Sequence, residues 1–289
     1  MYPYPFTYHR PGTIDETLAL LADLGDEGKV LAGGHSLLPA MKLRLAQPGH
    51  LIDIGGLDEL TGVREREGGL EIGALTTHHT LATDPTVAAR AGLLAELAHV
   101  VGDQQVRNRG TLGGALAHND PAADYPAGVL ALDAEIVAVG PNGERTIPAG
   151  EFFTAFLTTA LDPGELLVAV RIPDLPANTG YRYEKLANPA SGYALVGVAA
   201  VVQLDDNGSI AQARIGITGA SDVAWRAEGV EAALAGVQPD GESVKAAAAG
   251  VVDGVEMLAD VHAPAEYRAR VTRNLVRRAV LKAAERAKG

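Results

Sequence analysis

Segment 33–36, Gly-Gly-His-Ser, interrupts an apolar stretch at the point where a predicted strand gives way to a predicted helix. The strand ends at Ala32 and the helix begins near Leu37, so the backbone N–H groups of the connection converge at the N-terminus of the helix. These donors, with the positive end of the helix dipole, suit a phosphate or a pyrophosphate. The glycines permit close approach of the backbone, and Ser36 adds a hydroxyl donor. Taken alone, the segment fits a plain strand-to-helix turn equally well.

A second glycine-rich segment, residues 107–127, reads RNRGTLGGALAHNDPAADYPA. Thr111 again stands beside a glycine pair, and a diphosphate has two phosphates that two donor-rich loops could bind. Asp124 could accept hydrogen bonds from ribose or ribityl hydroxyls, as acids do in other nucleotide sites. The run DPAAD also fits an ordinary helix start, with Asp120 as the cap and the next residue, a proline, at the first helical position. A sugar contact and a helix start are compatible with each other in this segment.

Other nucleotide-binding motifs are missing from the sequence. There is neither a G-x-G-x-x-G after a strand nor a G-x-x-x-x-G-K-[ST], so the Rossmann fingerprint and the P-loop are both excluded. The chain has no cysteine, which excludes disulfides, zinc–thiolate sites, thiol nucleophiles and an iron–sulfur cluster held by this chain alone. Redox chemistry would therefore need an organic cofactor.

The formal net charge of -12 argues against nucleic acid as a partner. The basic residues of segment 268–278 alternate with apolar ones at helical spacing and are interpreted as one solvated helix face rather than a binding patch. No apolar run approaches the ~18 residues that span a bilayer, and no export signal is visible, so a cytoplasmic protein is expected.

The histidines offer less specific chemistry. His78 and His79 are adjacent, and on a strand their side chains would point to opposite faces, which argues against a shared metal. His35 is either a donor to a bound diphosphate or a turn residue, and the contact is the favoured interpretation. No Ser/His/Asp arrangement stands out, so no catalytic residue is assigned.

The elements that would position these residues fall into three parts. Residues 1–55 alternate strand, helix, strand, helix and strand, which predicts a small right-handed parallel α/β unit with a capping box at Thr13. Residues 56–176 predict mostly antiparallel strands, a helix over 86–101, a loop over 110–128 and a hairpin turn at Asn142. Residues 177–289 predict long strands followed by three alanine-rich helices, a separate α+β domain.

The two segments, AGGHSLLPAMKLRL (32–45) and residues 107–127, resemble in order and spacing the FAD-binding segments of the medium (flavoprotein) subunit of aerobic carbon monoxide dehydrogenase and related molybdenum hydroxylases. The flavin domain of xanthine dehydrogenase is a more distant relative. The resemblance covers nearly the whole chain. It implies an α+β protein with a vanillyl-alcohol-oxidase-type (PCMH-type) FAD-binding fold in two α/β subdomains, residues 1–55 and 56–176, and a C-terminal domain of antiparallel sheet and helices, residues 177–289.

The resemblance also implies which residues hold a non-covalent FAD. Two loops would bind its diphosphate, Asp124 would contact its sugar part, and an apolar side chain near position 101 would lie against its isoalloxazine. The residues carried over are Ala32, Gly33, Gly34, His35, Ser36, Leu37, Val101, Thr111, Leu112, Gly113, Gly114, Ala115, Asp120, Asp124, Lys185 and Tyr193. Segment 186–199 departs from carbon monoxide dehydrogenases, since neutral residues replace a basic stretch and an acid. That departure weakens the assignment to carbon monoxide more than the assignment to FAD.

The function implied is that of an FAD-containing electron-transfer subunit. A small iron–sulfur subunit would deliver electrons, a large molybdenum subunit would oxidise the substrate, and quinone, oxygen or NAD would accept the electrons. Two such heterotrimers would form the complex, in the cytoplasm or at the inner face of the membrane. The alternatives are a self-contained FAD oxidoreductase acting on a small molecule, and a nucleotide-binding assembly module without redox function. The sequence leaves the substrate open.

Overall fold

The N-terminal part is built around a parallel sheet with strand order β1-β3-β2, in a computed structural model that describes residues 2–289. The predicted cap is present, because the Thr13 hydroxyl accepts a hydrogen bond from the Glu16 N–H (3.1 Å). The apolar face of the first helix packs on the sheet. The parallel α/β prediction is therefore confirmed. The elements are β1 (Thr7–His9), α1 (Ile14–Leu24), β2 (Gly28–Leu31), α2 (Leu37–Lys42) and β3 (His50–Asp53).

The middle part contains a five-stranded antiparallel sheet and a helical layer against it. The predicted hairpin at Asn142 is confirmed, with Gly143 at φ +94° in the turn. The strand order is β4-β5-β10-β6-β7. The elements are β4 (Val63–Arg66), β5 (Gly69–Gly73), α3 (His78–Thr83), α4 (Pro85–Arg90), α5 (Gly92–Val100), α6 (Gln104–Arg107), α7 (Leu112–His118), α8 (Tyr125–Ala131), β6 (Glu135–Gly140), β7 (Gly143–Pro148), α9 (Ala149–Phe152), β8 (Phe153–Ala155), β9 (Thr158–Thr159) and β10 (Leu166–Pro173).

Two predictions for the middle part are wrong. The helix expected over 86–101 is broken at Ala91 (φ -135°, ψ 44°), and Gly92 lies so close to the Tyr181 hydroxyl that no side chain fits between them. The loop expected over 110–128 contains the helices α7 and α8. Glycine lowers helix propensity, but here a Cβ on Gly113 would lie 2.5 Å from the Ala74 Cβ, so close packing overrides propensity.

The C-terminal part is a four-stranded antiparallel sheet, order β11-β12-β13-β14, covered by helices. A side chain on Gly180 would overlap the backbone of the last helix at Ala283, which shows how closely that helix lies on the sheet. The predicted strands and three alanine-rich helices are confirmed. They are β11 (Thr179–Ala187), β12 (Ala194–Leu204), β13 (Ile210–Thr218), β14 (Trp225–Arg226), α10 (Glu228–Leu234), α11 (Gly241–Ala248) and α12 (Ala265–Ala287). The division into domains at 55 and 176 stays a prediction.

Candidate functional site

The first loop, residues 32–36, joins β2 to α2 and carries a row of backbone N–H donors. The N–H groups of residues 33–37 have no hydrogen-bond acceptor among residues 2–289. Gly34 has φ +76°, the left-handed region that glycine adopts without strain. Five successive N–H groups without an internal acceptor at a helix start are donors of the kind that bind an anion. The predicted contact of this loop with the diphosphate of FAD stays a prediction.

The structure brings the first loop against the segment that precedes α7. A Cβ on Gly33 would overlap the carbonyl oxygen of Arg109 and stand 2.9 Å from the Cα of Gly110. A Cβ on Gly114 would stand 3.5 Å from the Cβ of Ala32. The two segments predicted from the sequence are therefore in direct contact, and the absence of a side chain at position 33 is what permits this.

The second loop, residues 111–115, differs from the first in its donors. Leu112 N–H donates to Thr76 O (3.0 Å), Gly113 N–H to Ala74 O (2.8 Å), and Gly114 N–H to the Thr111 hydroxyl (3.2 Å). Ala115 N–H likewise donates to a carbonyl, that of Thr111. In the described chain, the Thr111 N–H is left without an acceptor. The expectation of a donor-rich second loop is thus wrong for the N–H groups of residues 112–115, which have internal acceptors, and its glycines serve close packing. Its role in FAD binding stays a prediction.

Asp124 lies at the start of α8 and is held by two side chains from β11. Its carboxylate accepts hydrogen bonds from the Tyr183 hydroxyl (2.5 Å) and from Lys185 Nζ (2.8 Å), and the residue is only 5% exposed. Lys185 Nζ also donates to Val100 O (3.2 Å). Burial raises the pKa of Asp124, and the Lys185 ammonium opposes the shift. The ion pair therefore ties β11 to the ends of α5 and α8.

Sequence reasoning missed Tyr183, because a tyrosine inside a strand carries no local signal of an ionic partner. Burial, followed by the adjacent Asp124, raises the pKa of its hydroxyl well above the usual value. The phenol therefore stays protonated and donates to the carboxylate. The predicted contact of Asp124 with a sugar hydroxyl stays a prediction, and both of its oxygens have internal partners.

Asp120 shapes a turn rather than a helix start. Its carboxylate accepts the Ala122 N–H (2.8 Å), and α8 begins only at Tyr125, so the predicted cap with Pro121 as the first helical residue is wrong. Tyr193, 44% exposed, lies near both Asp120 and Ser36. Burial and then the Asp120 charge raise the pKa of Tyr193, while Ser36 opposes the shift. The C-terminal segment therefore reaches the first loop.

Two further predicted residues lie at the edges of the site. Val101 follows α5 and packs, half-buried, against the main core. His35 is exposed, and its Nδ1 lies 3.3 Å from the carbonyl oxygen of Gly33 in its own loop. Their contacts with FAD stay predictions.

The histidine pair lies on a helix, so the assumption of a strand is wrong. His78 is the first residue of α3 and is buried, whereas His79 is exposed. The His78 pKa is lowered to about 4, chiefly by burial and further by the neighbouring His35 and Arg107 side chains. Within residues 2–289 no cluster of three or more His, Asp or Glu could hold a metal ion.

The buried His78 predicts an acid-sensitive stability. Its pKa in the folded chain lies below the ordinary value near 6.5, so the unfolded chain binds a proton first as the pH falls. We expect the free energy of unfolding to drop by about 3 kcal/mol between pH 7 and pH 4 on account of this residue. Urea unfolding of the wild-type chain and of His78→Gln across that range measures it. Equal slopes in both proteins would contradict the prediction.

None of the helices among residues 2–289 is long and apolar enough to cross a membrane. The sequence matches two described families: "FAD binding domain in molybdopterin dehydrogenase" over residues 4–175 and "CO dehydrogenase flavoprotein C-terminal domain" over residues 181–283.

Individual relatives cover nearly the full chain. It is 43% identical to the carbon monoxide dehydrogenase medium chain of Hydrogenophaga pseudoflava, over 97% of each chain. It is 38% identical to subunit alpha of the 6-hydroxypseudooxynicotine dehydrogenase complex of Paenarthrobacter nicotinovorans, over 100% of this chain and 97% of that one. Its fold is similar to a solved structure of carbon monoxide dehydrogenase from Hydrogenophaga pseudoflava, with a TM-score of 0.95, 44% identity and 99% of both chains covered.

Proposed function

The chain belongs to the FAD-binding medium chains of the molybdopterin dehydrogenases, and on that premise we propose that it is the electron-transfer subunit of a molybdenum hydroxylase complex. In this proposal it takes electrons from a small iron–sulfur subunit and passes them to quinone, oxygen or NAD. A large molybdenum subunit oxidises the substrate, and two heterotrimers assemble, in the cytoplasm or against the inner face of the membrane.

The observation that carries the proposal is the row of unpaired N–H groups at residues 33–37, held against the second loop. These donors fit the diphosphate of FAD, and the absence of a side chain at Gly33 lets the segment before the second loop lie directly against them. When bound, FAD supplies the chemistry of accepting electrons singly and releasing them in pairs.

The protein residues bind and orient the cofactor in this proposal. The first loop would donate hydrogen bonds to the diphosphate, and the Thr111 N–H would add one from the second loop. Lys185, fixed by Asp124 and by Val100 O, would keep a positive charge beside Val101 at the flavin. A cysteine-free chain cannot ligate an iron–sulfur cluster through thiolates, which supports a separate iron–sulfur subunit.

We further propose that this chain does not select the substrate. The two relatives described above are named for carbon monoxide and for 6-hydroxypseudooxynicotine, molecules without common chemistry, yet they are 43% and 38% identical to this chain. If the flavin subunit recognised the substrate, its sequence would be expected to differ more strongly between complexes with such different substrates. The substrate is then recognised on the large subunit.

Purification from the organism that encodes the chain tests the proposal. We expect a tagged chain to bring down two further subunits, one containing iron and acid-labile sulfide and the other molybdenum, and to show flavin absorbance. A chain that purifies alone and whose flavin is reduced directly by a small-molecule substrate would instead establish a self-contained oxidoreductase. A chain that stays colourless when supplied with FAD would establish the assembly module.

A further inference from the structure

His78 lies between the buried end of α8 and the chain that leads into the second loop. Its Nδ1 is 3.1 Å from the hydroxyl of Tyr125, and the two rings are 5.0 Å apart between centroids. His78 is 4% exposed and Tyr125 is 1% exposed. Both rings are therefore fixed by packing, and neither has room to swing away.

The opposite edge of the His78 ring faces Gly110. A Cβ on Gly110 would lie 2.6 Å from Nε2 and 2.7 Å from Cδ2 of His78, closer than side chains tolerate. The backbones are also joined, because His78 N–H donates to Gly110 O (2.9 Å). The imidazole therefore occupies the space that a side chain at position 110 would need, and the backbone hydrogen bond holds the two residues together.

Gly110 in turn meets the first loop. A Cβ on Gly33 would stand 2.9 Å from the Gly110 Cα. Tyr125, His78, Gly110 and Gly33 therefore form a continuous series of contacts. The series leads from the buried core to the row of unpaired N–H groups in the first loop. In this series the imidazole ring fills the space between Tyr125 and Gly110.

We propose that His78 is a positioning residue for FAD: its ring is the spacer that sets the second loop against the first. His78 acts through Gly110 and does not itself touch the cofactor. The inference rests on FAD binding by the two loops and adds a residue that glycine patterns in the loops do not indicate. It predicts that two changes compensate each other: the loss of side-chain volume in His78→Ala and the Cβ added in Gly110→Ala.

A size exchange tests this on the full chain, purified with any subunits that accompany it. We expect His78→Ala to weaken FAD binding by at least roughly tenfold, because the second loop loses its support. Gly110→Ala should weaken it similarly, since the new Cβ meets the ring. The double variant should recover most of the affinity, because the Cβ then occupies space that the ring has left. FAD dissociation constants come from flavin fluorescence, with the melting temperature of the apoprotein measured in parallel.

His79→Ala, which changes the exposed neighbour, is the matched control and should leave FAD affinity unchanged. A lower apoprotein melting temperature with unchanged FAD affinity in His78→Ala would make His78 an ordinary core residue and overturn the proposal. Failure of the double variant to recover affinity would also overturn it. If His78→Ala does not fold, the Gly110→Ala variant decides alone. An FAD affinity equal to that of the wild-type chain in Gly110→Ala would then overturn the proposal. Loss of FAD binding by the wild-type chain would instead contradict the proposed function.

Discussion

Gly33→Ala is expected to weaken FAD binding by roughly 100-fold while leaving the chain folded. The added Cβ would overlap the Arg109 carbonyl oxygen, and a backbone atom cannot move aside as a flexible side chain can. The two loops must then separate, and the N–H groups of residues 33–37 lose their common target. Gly33 itself belongs to none of the hydrophobic core clusters, so the free energy of unfolding should change little. Isothermal titration of the apoprotein with FAD measures the affinity.

The matched control for this prediction is Gly229→Ala. A Cβ at Gly229 meets nothing within 4 Å, so the same chemical change should leave FAD affinity as in the wild-type chain. Gly34→Val provides an independent test of the loop, because its φ of +76° is strained for any residue with a Cβ. Wild-type flavin content in both Gly33→Ala and Gly34→Val would refute the assignment of the first loop to the diphosphate.

Lys185→Met is expected to lower the free energy of unfolding by about 3–5 kcal/mol. The substitution leaves the Asp124 carboxylate buried with the Tyr183 hydroxyl as its remaining partner, and an uncompensated buried charge is costly. It also removes the donor to Val100 O. Urea unfolding of the variant and of the wild-type chain at pH 7 measures the difference.

The pH dependence identifies the cause of that loss. Burial already raises the pKa of Asp124 in the native chain, and removing the ammonium raises it further. When the pKa of an acid is higher in the folded than in the unfolded chain, the protein loses stability as the pH rises from the unfolded-state pKa to the folded-state pKa. The loss in Lys185→Met should therefore shrink at acidic pH. The double variant Asp124→Asn with Lys185→Met should regain most of the stability, and a pH-independent loss would contradict this account.

Much of the fold could be predicted from the sequence because its signals are local. Apolar residues at helical spacing, the cap at Thr13 and the turn at Asn142 each depend on neighbours a few positions away. The resemblance carried by the two glycine segments indicated the FAD-binding fold with its C-terminal α+β domain, and the family matches and the similar solved structure confirm it. The loop expected over 110–128 was wrong because glycine propensity is weaker than the tertiary packing of Gly113 on Ala74.

The sequence by itself determined most of the elements, the family and the two segments that are predicted to bind FAD. Only the tertiary structure decided what each residue in them does. It left the N–H groups of the first loop unpaired and used those of residues 112–115 internally, buried Asp124 against Lys185 and Tyr183, and placed His78 behind Gly110. The physical reason is that an unpaired donor, a buried charge or a filled space depends on atoms from distant parts of the chain. The spacing of residues along the sequence carries no information about those atoms.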